Sequence, residues 1–152
     1  MHSLSTLLHV ALYWLSPRGH EVIAYLLRHR GYFDSAPSVA LALGFDDRHQ
    51  LARRLKHESL PCLEELAAWV RTLLWLRDWE ESRVALSRSV LTDARDPAPC
   101  YRTVERITGL SWGELRSYGS EFVLLALIDR CRELKQTTPS AGSRGLIRQG
   151  VS

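Results

Sequence analysis

A glycine directly after a short apolar run limits a helical chain severely, and Gly44 stands in that place. Residues 38–66 read SVALALGFDDRHQLARRLKHESLPCLEEL. Val39, Ala40 and Leu43 fall at helical spacing, enough to bury one face of a short helix. Gly44 follows the last of them, where a helix stops in a left-handed conformation that costs glycine nothing. Asp46 and Asp47 then offer an N-cap and negative charge at the start of a second helix. That helix packs through Leu51 and Leu55, so at about 3.6 residues per turn its far face carries His49, Gln50, Arg53, Lys56 and His57. A polar, basic face on the second helix of such a pair is what lying in a DNA major groove requires.

Ala40 four residues before Gly44-Phe45, then Arg53, Leu55 and Lys56, with Leu60-Pro61 ahead of another helix, resembles the DNA-binding region of the AraC/XylS-type transcription regulators. That family carries two helix-turn-helix units joined by a long helix, so the resemblance predicts a second unit. The chain set against itself 49 positions on supplies one. Asp47 meets Asp96, Leu51 meets Cys100, Arg53 meets Arg102, Leu55 meets Val104, and Glu65-Leu66 meets Glu114-Leu115. The second copy closes on Thr108-Gly109-Leu110-Ser111 and Glu114-Leu115-Arg116, similar to the family's own close. The resemblance spans roughly residues 20–135, and two copies at family spacing are far more specific than one.

What it implies is an all-α fold. Two helix-turn-helix, homeodomain-like tri-helical subdomains (20–62 and 80–135, the second degenerate) flank a connecting helix over 63–79. An extra amphipathic helix within 1–19 precedes them and a tail over 136–152 follows. The implied function is sequence-specific binding of double-stranded DNA in transcription regulation, in a bacterial cytoplasm.

The periodicities agree along the chain. Leu4, Leu7, Leu8, Ala11, Leu12 and Leu15 form an apolar stripe over 3–15, stopped by Ser16-Pro17. Packing is the plain reading of that helix; Val10, Tyr13 and Trp14 widen its apolar face enough for a dimer surface. A helix over 21–30 buries Val22, Ile23, Leu26 and Leu27 and ends at Gly31. Asp34-Ser35 is a cap for the next helix, with Pro37 in its first turn. From Leu63 to about Asp78, apolar residues on several faces suit a helix packed by both subdomains. Residues 82–92 open the second unit, where Asp93-Ala94 replaces Gly44-Phe45 and Pro99 puts a second proline in a helix start. The last helix begins near Ser120. Its seven consecutive apolar residues, Phe122 to Ile128, place it in the second subdomain's core or against a partner. From Gln136 on, the tail lacks periodicity and reads as disordered.

Base contacts fall to Arg48, His49, Gln50 and Arg53, in the first turns of a recognition helix over 48–58. Arg53 suits guanine O6 and N7, and Gln50 suits adenine. Arg54, Lys56 and His57 suit phosphates, which give register and affinity. For a single arginine a solvated surface charge would be the plain reading; the cluster opposite a leucine stripe favours DNA. In the second unit the outer face holds Ala98, Pro99, Arg102, Glu105 and Arg106, of which only Arg102 and Arg106 suit DNA. Lys135, Arg144 and Arg148 can add loose phosphate contacts, though a solubilising role is plainer.

A net charge of +3 and a pI near 9.0 permit nucleic-acid binding without requiring it. Three cysteines and six histidines show no pairing or metal-ligand spacing, so no metal or cofactor is expected, and buried free thiols in a reducing compartment are. No apolar run reaches bilayer length, the leucine-rich start lacks a basic residue before Leu4, and no membrane association is expected. No phosphate loop or nucleophile–base motif points to an enzyme. The rival reading is a protein-interaction module that keeps the helix-turn-helix fold without binding DNA. It draws on Asp46-Asp47, the degenerate second unit, and the apolar helices 4–15 and 122–134, which offer surfaces for a homodimer or a protein partner.

Overall fold

Ser3, Ser16, Ser35, Asp47 and Ser111 each accept the backbone N–H three residues on, and each starts a helix. These caps satisfy donors that the first turn of a helix leaves unpaired. The computed structural model describes residues 3–92 and 96–137. They form α1 (Leu4–Ala11), α2 (Pro17–Arg28), α3 (Ala36–Ala42), α4 (Arg48–His57), α5 (Leu63–Ser82), α6 (Leu86–Thr92), α7 (Ala98–Thr108), α8 (Trp112–Tyr118) and α9 (Ser120–Thr137), with no strand among the described residues.

The chain is all-helical, as expected, but several boundaries move. α1 stops at Ala11 with Leu12 as its C-cap, and Ser16-Pro17 starts the next helix instead of ending the first. Ser16 caps α2 and Pro17 takes its first position, where a missing N–H costs nothing. α2 therefore begins well before Glu21. α5 continues past Asp78 to Ser82 and ends on Arg83 in a left-handed conformation (φ 54°). α6 begins at Leu86, four residues after the expected opening at 82.

α5 is the axis of the core. Leu63, Leu66, Ala67, Trp69, Val70, Leu73, Trp75 and Leu76 are buried on it, on more than one face, as α2, α6, α7 and α9 pack around it. Its one buried hydroxyl, on Thr72, donates back to the Ala68 carbonyl at 2.9 Å. α9 runs antiparallel beside it. At one end the Glu80 carboxylate accepts the Ser120 N–H (2.6 Å) and hydroxyl (3.0 Å); at the other, Arg130 pairs with Glu65.

Most of the apolar run of α9 thus packs on α5 and on α1, which also packs on α2, while Leu125 stays exposed. Placement of Phe122–Ile128 in the second unit's core describes only part of that role. One continuous cluster of buried apolar side chains runs from Leu4 to Cys131. Cys100 and Cys131 are buried free thiols, whereas Cys62 is exposed as the first residue before α5. Burial pushes the Cys131 thiol up to about 12, the nearby Glu65 charge adds to that, and Arg130 opposes it. The Asp93-Ala94 turn, the tail from residue 138 and its Arg144 and Arg148 lie outside the described residues. Among the described residues no helix is long and apolar enough to cross a membrane.

Candidate nucleic-acid interface

The turn between α3 and α4 is built by local chemistry. Ser35 and Ser38 form a reciprocal capping box that starts α3. Gly44, just past the Leu43 C-cap of that helix, takes φ +77°, and the Phe45 N–H returns to the Ala40 carbonyl at 2.9 Å. A side chain on Gly44 would meet nothing within 4 Å, so the backbone conformation alone asks for glycine there. Asp47 caps α4 through the Gln50 N–H at 2.8 Å, and the Gln50 side-chain oxygen accepts the Asp46 N–H at 2.6 Å. The Gln50 N–H bond holds the Asp47 carboxyl below the usual range; His49 and Arg53 reinforce that against a weaker effect of burial.

Two long-range clamps hold this pair of helices. Phe45 is buried, with the Arg18 guanidinium 4.0 Å above its ring. Arg18 also donates to the Leu43 carbonyl at 2.5 Å and pairs with Glu21 at 3.0 Å, tying the start of α2 to the end of α3. At the far end of α4, the Glu58 backbone oxygen accepts the Trp14 indole N–H at 2.9 Å, and its carboxylate accepts the Ser16 N–H at 2.5 Å.

With Leu51 and Leu55 buried, α4 turns Arg48, His49, Arg53, Lys56 and His57 to the surface, while Gln50 and Arg54 are half-buried. No acidic side chain lies within α4, and none of its cationic groups forms an ion pair among the described residues. The residues expected to contact DNA in the first unit wrap around α4: Arg53, Lys56 and His57 lie together, Gln50 and Arg54 flank them on one side, and Arg48 and His49 lie on the side next to α9. The fold adds two more. Lys135, in the last turn of α9, lies beside Arg53, Lys56 and His57. Arg18 borders the surface formed by Gln50, Arg53, Arg54 and His57. Nothing in the local pattern around α4 announces Arg18; a helix start at Ser16-Pro17 is the signal that puts it in a first turn.

The second pair of helices diverges. Cys100 and Val104 are buried at the places of Leu51 and Leu55, and Ala98, Pro99, Tyr101, Arg102, Glu105 and Arg106 are exposed. Arg102 forms no ion pair among the described residues. Arg106, however, lines a cleft with Glu65, Trp69 and Arg130. There Arg130 grips both oxygens of Glu65 at 2.9 and 3.0 Å, and the Trp69 indole N–H reaches the same carboxylate at 3.1 Å. Burial alone would raise the Glu65 carboxyl; the Arg130 and Trp69 hydrogen bonds and the Arg130 and Arg106 charges outweigh it and leave it lowered. The hydrogen bond to Glu65 raises the Arg130 guanidinium correspondingly. Two arginines expected to act alike thus sit in different surroundings.

Among the described residues no group of three or more His, Cys, Asp or Glu side chains is placed to hold a metal ion. Compared with protein-family models, with curated proteins and with solved structures, the chain matches none.

Proposed function

We propose that the chain binds double-stranded DNA sequence-specifically and acts in transcription regulation. In this reading α3/α4 and α6/α7 are two helix-turn-helix units on either side of α5, as the resemblance to the AraC/XylS-type regulators implies. The observation that carries it is the outer face of α4: cationic, with no acidic side chain of its own and no ion pair among the described residues, on a helix fixed at both ends. Arg48, His49 and Arg53 read base edges. Gln50 offers its amide N–H to a base while its oxygen stays on Asp46. Arg54, Lys56, His57, Arg18 and Lys135 serve phosphates. α7 contributes Arg102, and Arg106 serves the Glu65 cleft first.

Selection of bound sequences from a random duplex pool tests this directly. Arg53→Ala is expected to cost roughly 1–3 kcal/mol and to relax discrimination at one base pair. Lys135→Ala should weaken all duplexes alike and lower the log–log salt slope by about 0.9. No enrichment from folded protein at low salt would sink the reading.

Two exposed leucines favour the rival, a protein-interaction module. Leu41 (79% exposed) and Leu91 (63%) are each the sixth residue of a seven-residue helix, α3 and α6. On the terminal helices the leucine stripe of α1 is spent inside the fold, so a partner there would meet Val10, Tyr13 and Leu125. Binding through such patches would barely respond to salt, which separates the two readings.

A further inference from the structure

Arg30 stands just past the C-cap of α2, where a helix end favours glycine. Its backbone is left-handed (φ 53°), a conformation that strains a residue with a Cβ. The side chain placed there reaches two other helices. Arg30 Nη2 donates to Asp78 Oδ2 of α5 at 2.9 Å, and the Ser89 hydroxyl of α6 donates to the same oxygen at 2.5 Å. Arg30 Nη2 also lies 3.5 Å from Ser89 Oγ. Ser89 is buried, so its hydroxyl needs a partner within the fold. One oxygen of Asp78 thus receives a bond from α2 and a bond from α6. A second link holds the same end of α2 on α5, where the Gly31 carbonyl accepts Arg71 Nη1 at 2.7 Å.

We propose that the Arg30–Asp78–Ser89 contact sets the angle and spacing between the outer faces of α4 and α7, with Asp78 as the positioning residue. α2 is bound to α3 and α4 through Arg18 and Glu58, and α6 leads into α7, so Asp78 joins what carries each face. Apolar packing on α5 holds both sides to it but is non-directional. Hydrogen bonds that converge on one atom are directional and select a single arrangement. The consequence for DNA rests on the reading given above: two units held in register accept two groove segments at one separation only.

The first measurement is made without DNA. Nitroxides on Ala52→Cys and Glu105→Cys, exposed positions of α4 and α7, are placed in the full-length chain with Cys62→Ser, since Cys100 and Cys131 are buried. Double electron–electron resonance then reads their separation. One narrow distance is expected, widened by Ser89→Ala and by Arg30→Gly. In Arg30→Gly, relief of the left-handed backbone offsets the lost ion pair, so the urea midpoint should change little while the distances spread. Distances in Arg30→Gly as narrow as the native ones, with the same centre, overturn the proposal. Widening that comes only with a collapsed urea midpoint overturns it too, as loss of folding. The second measurement uses the duplex selected from the random pool, with one base pair inserted between its two halves, which turns one half by about 35°. The insertion should weaken the native chain roughly tenfold and Arg30→Gly at most about threefold. Equal losses overturn the consequence for DNA. If neither chain binds any duplex, the DNA reading alone falls, and the distances still decide what the contact does.

Discussion

Glu58 closes α4 and is only 8% exposed, lodged against the first turn of α2. One of its carboxylate oxygens has the Ser16 N–H; the other is buried without a hydrogen-bond partner among the described residues. A negative charge is favoured at a helix N-terminus, where N–H groups point outward. A Cβ at position 19 would lie 2.6 Å from Glu58 Oε1, so a side chain there would displace the carboxylate from the Ser16 N–H. Gly19→Ala is accordingly expected to cost about 1–3 kcal/mol, measured by urea unfolding. In a Glu58→Ala background the same change should cost less. Equal costs in both backgrounds would remove the clash as the cause. Local pattern could not show this: Gly19 reads as an ordinary residue of a helix start, and Glu58 as one more surface charge. Their meeting, 39 positions apart (58 − 19), is a product of the fold.

Among elements, the contact of α1 with α2 carries a titratable pair. His9 and His20 stack with ring centroids 4.0 Å apart. Burial lowers the His20 pKa below 6.5, the His9 charge lowers it further, and Glu58 pulls the other way. Folded His20 therefore holds its proton less tightly than the unfolded chain does. Below 6.5 the unfolded state binds more protons, so stability falls with pH down to the lowered folded value and is flat beneath it. The urea midpoint of the native chain should drop more between pH ~7.5 and pH ~5.5 than that of His20→Gln. Identical drops would leave the pair without a role in stability. The helices themselves were legible wherever a cap and an apolar period coincided, as at Asp47 with Leu51 and Leu55. They were misjudged where one signal had two meanings: Ser16-Pro17 ends one helix in prospect and begins another in fact.

For the whole molecule, the first and last of the described helices meet. α1 packs on α9, and α9 lies along α5, so the N-terminal stripe and the long apolar run cover each other's neighbours. Leu8 is 1% exposed in that region. Leu8→Ala is expected to cost about 2–5 kcal/mol and to shift one cooperative transition, seen together by tryptophan fluorescence and far-UV circular dichroism. Separate transitions by the two probes would show that α1 folds on its own account. This closure also explains how Lys135, remote from α4 in the chain, joins the cationic surface: α9 is long enough to reach it once its start is held on Glu80.

The sequence by itself determined the helical class, the turn at Gly44, the buried pair Leu51 and Leu55, and the cationic face opposite them. Each of these depends on residues within two or three turns of one another, where spacing translates directly into geometry. It also marked Cys100 and Val104 as the buried pair of α7, since burial follows the same period there. Only the tertiary structure decided that Arg106 faces Glu65 while Arg102 does not, that Arg18 and Lys135 join α4, and that Arg30 meets Asp78 and Ser89. Those outcomes depend on which helix faces meet across long stretches of chain, and periodicity says that a face is apolar without saying what covers it.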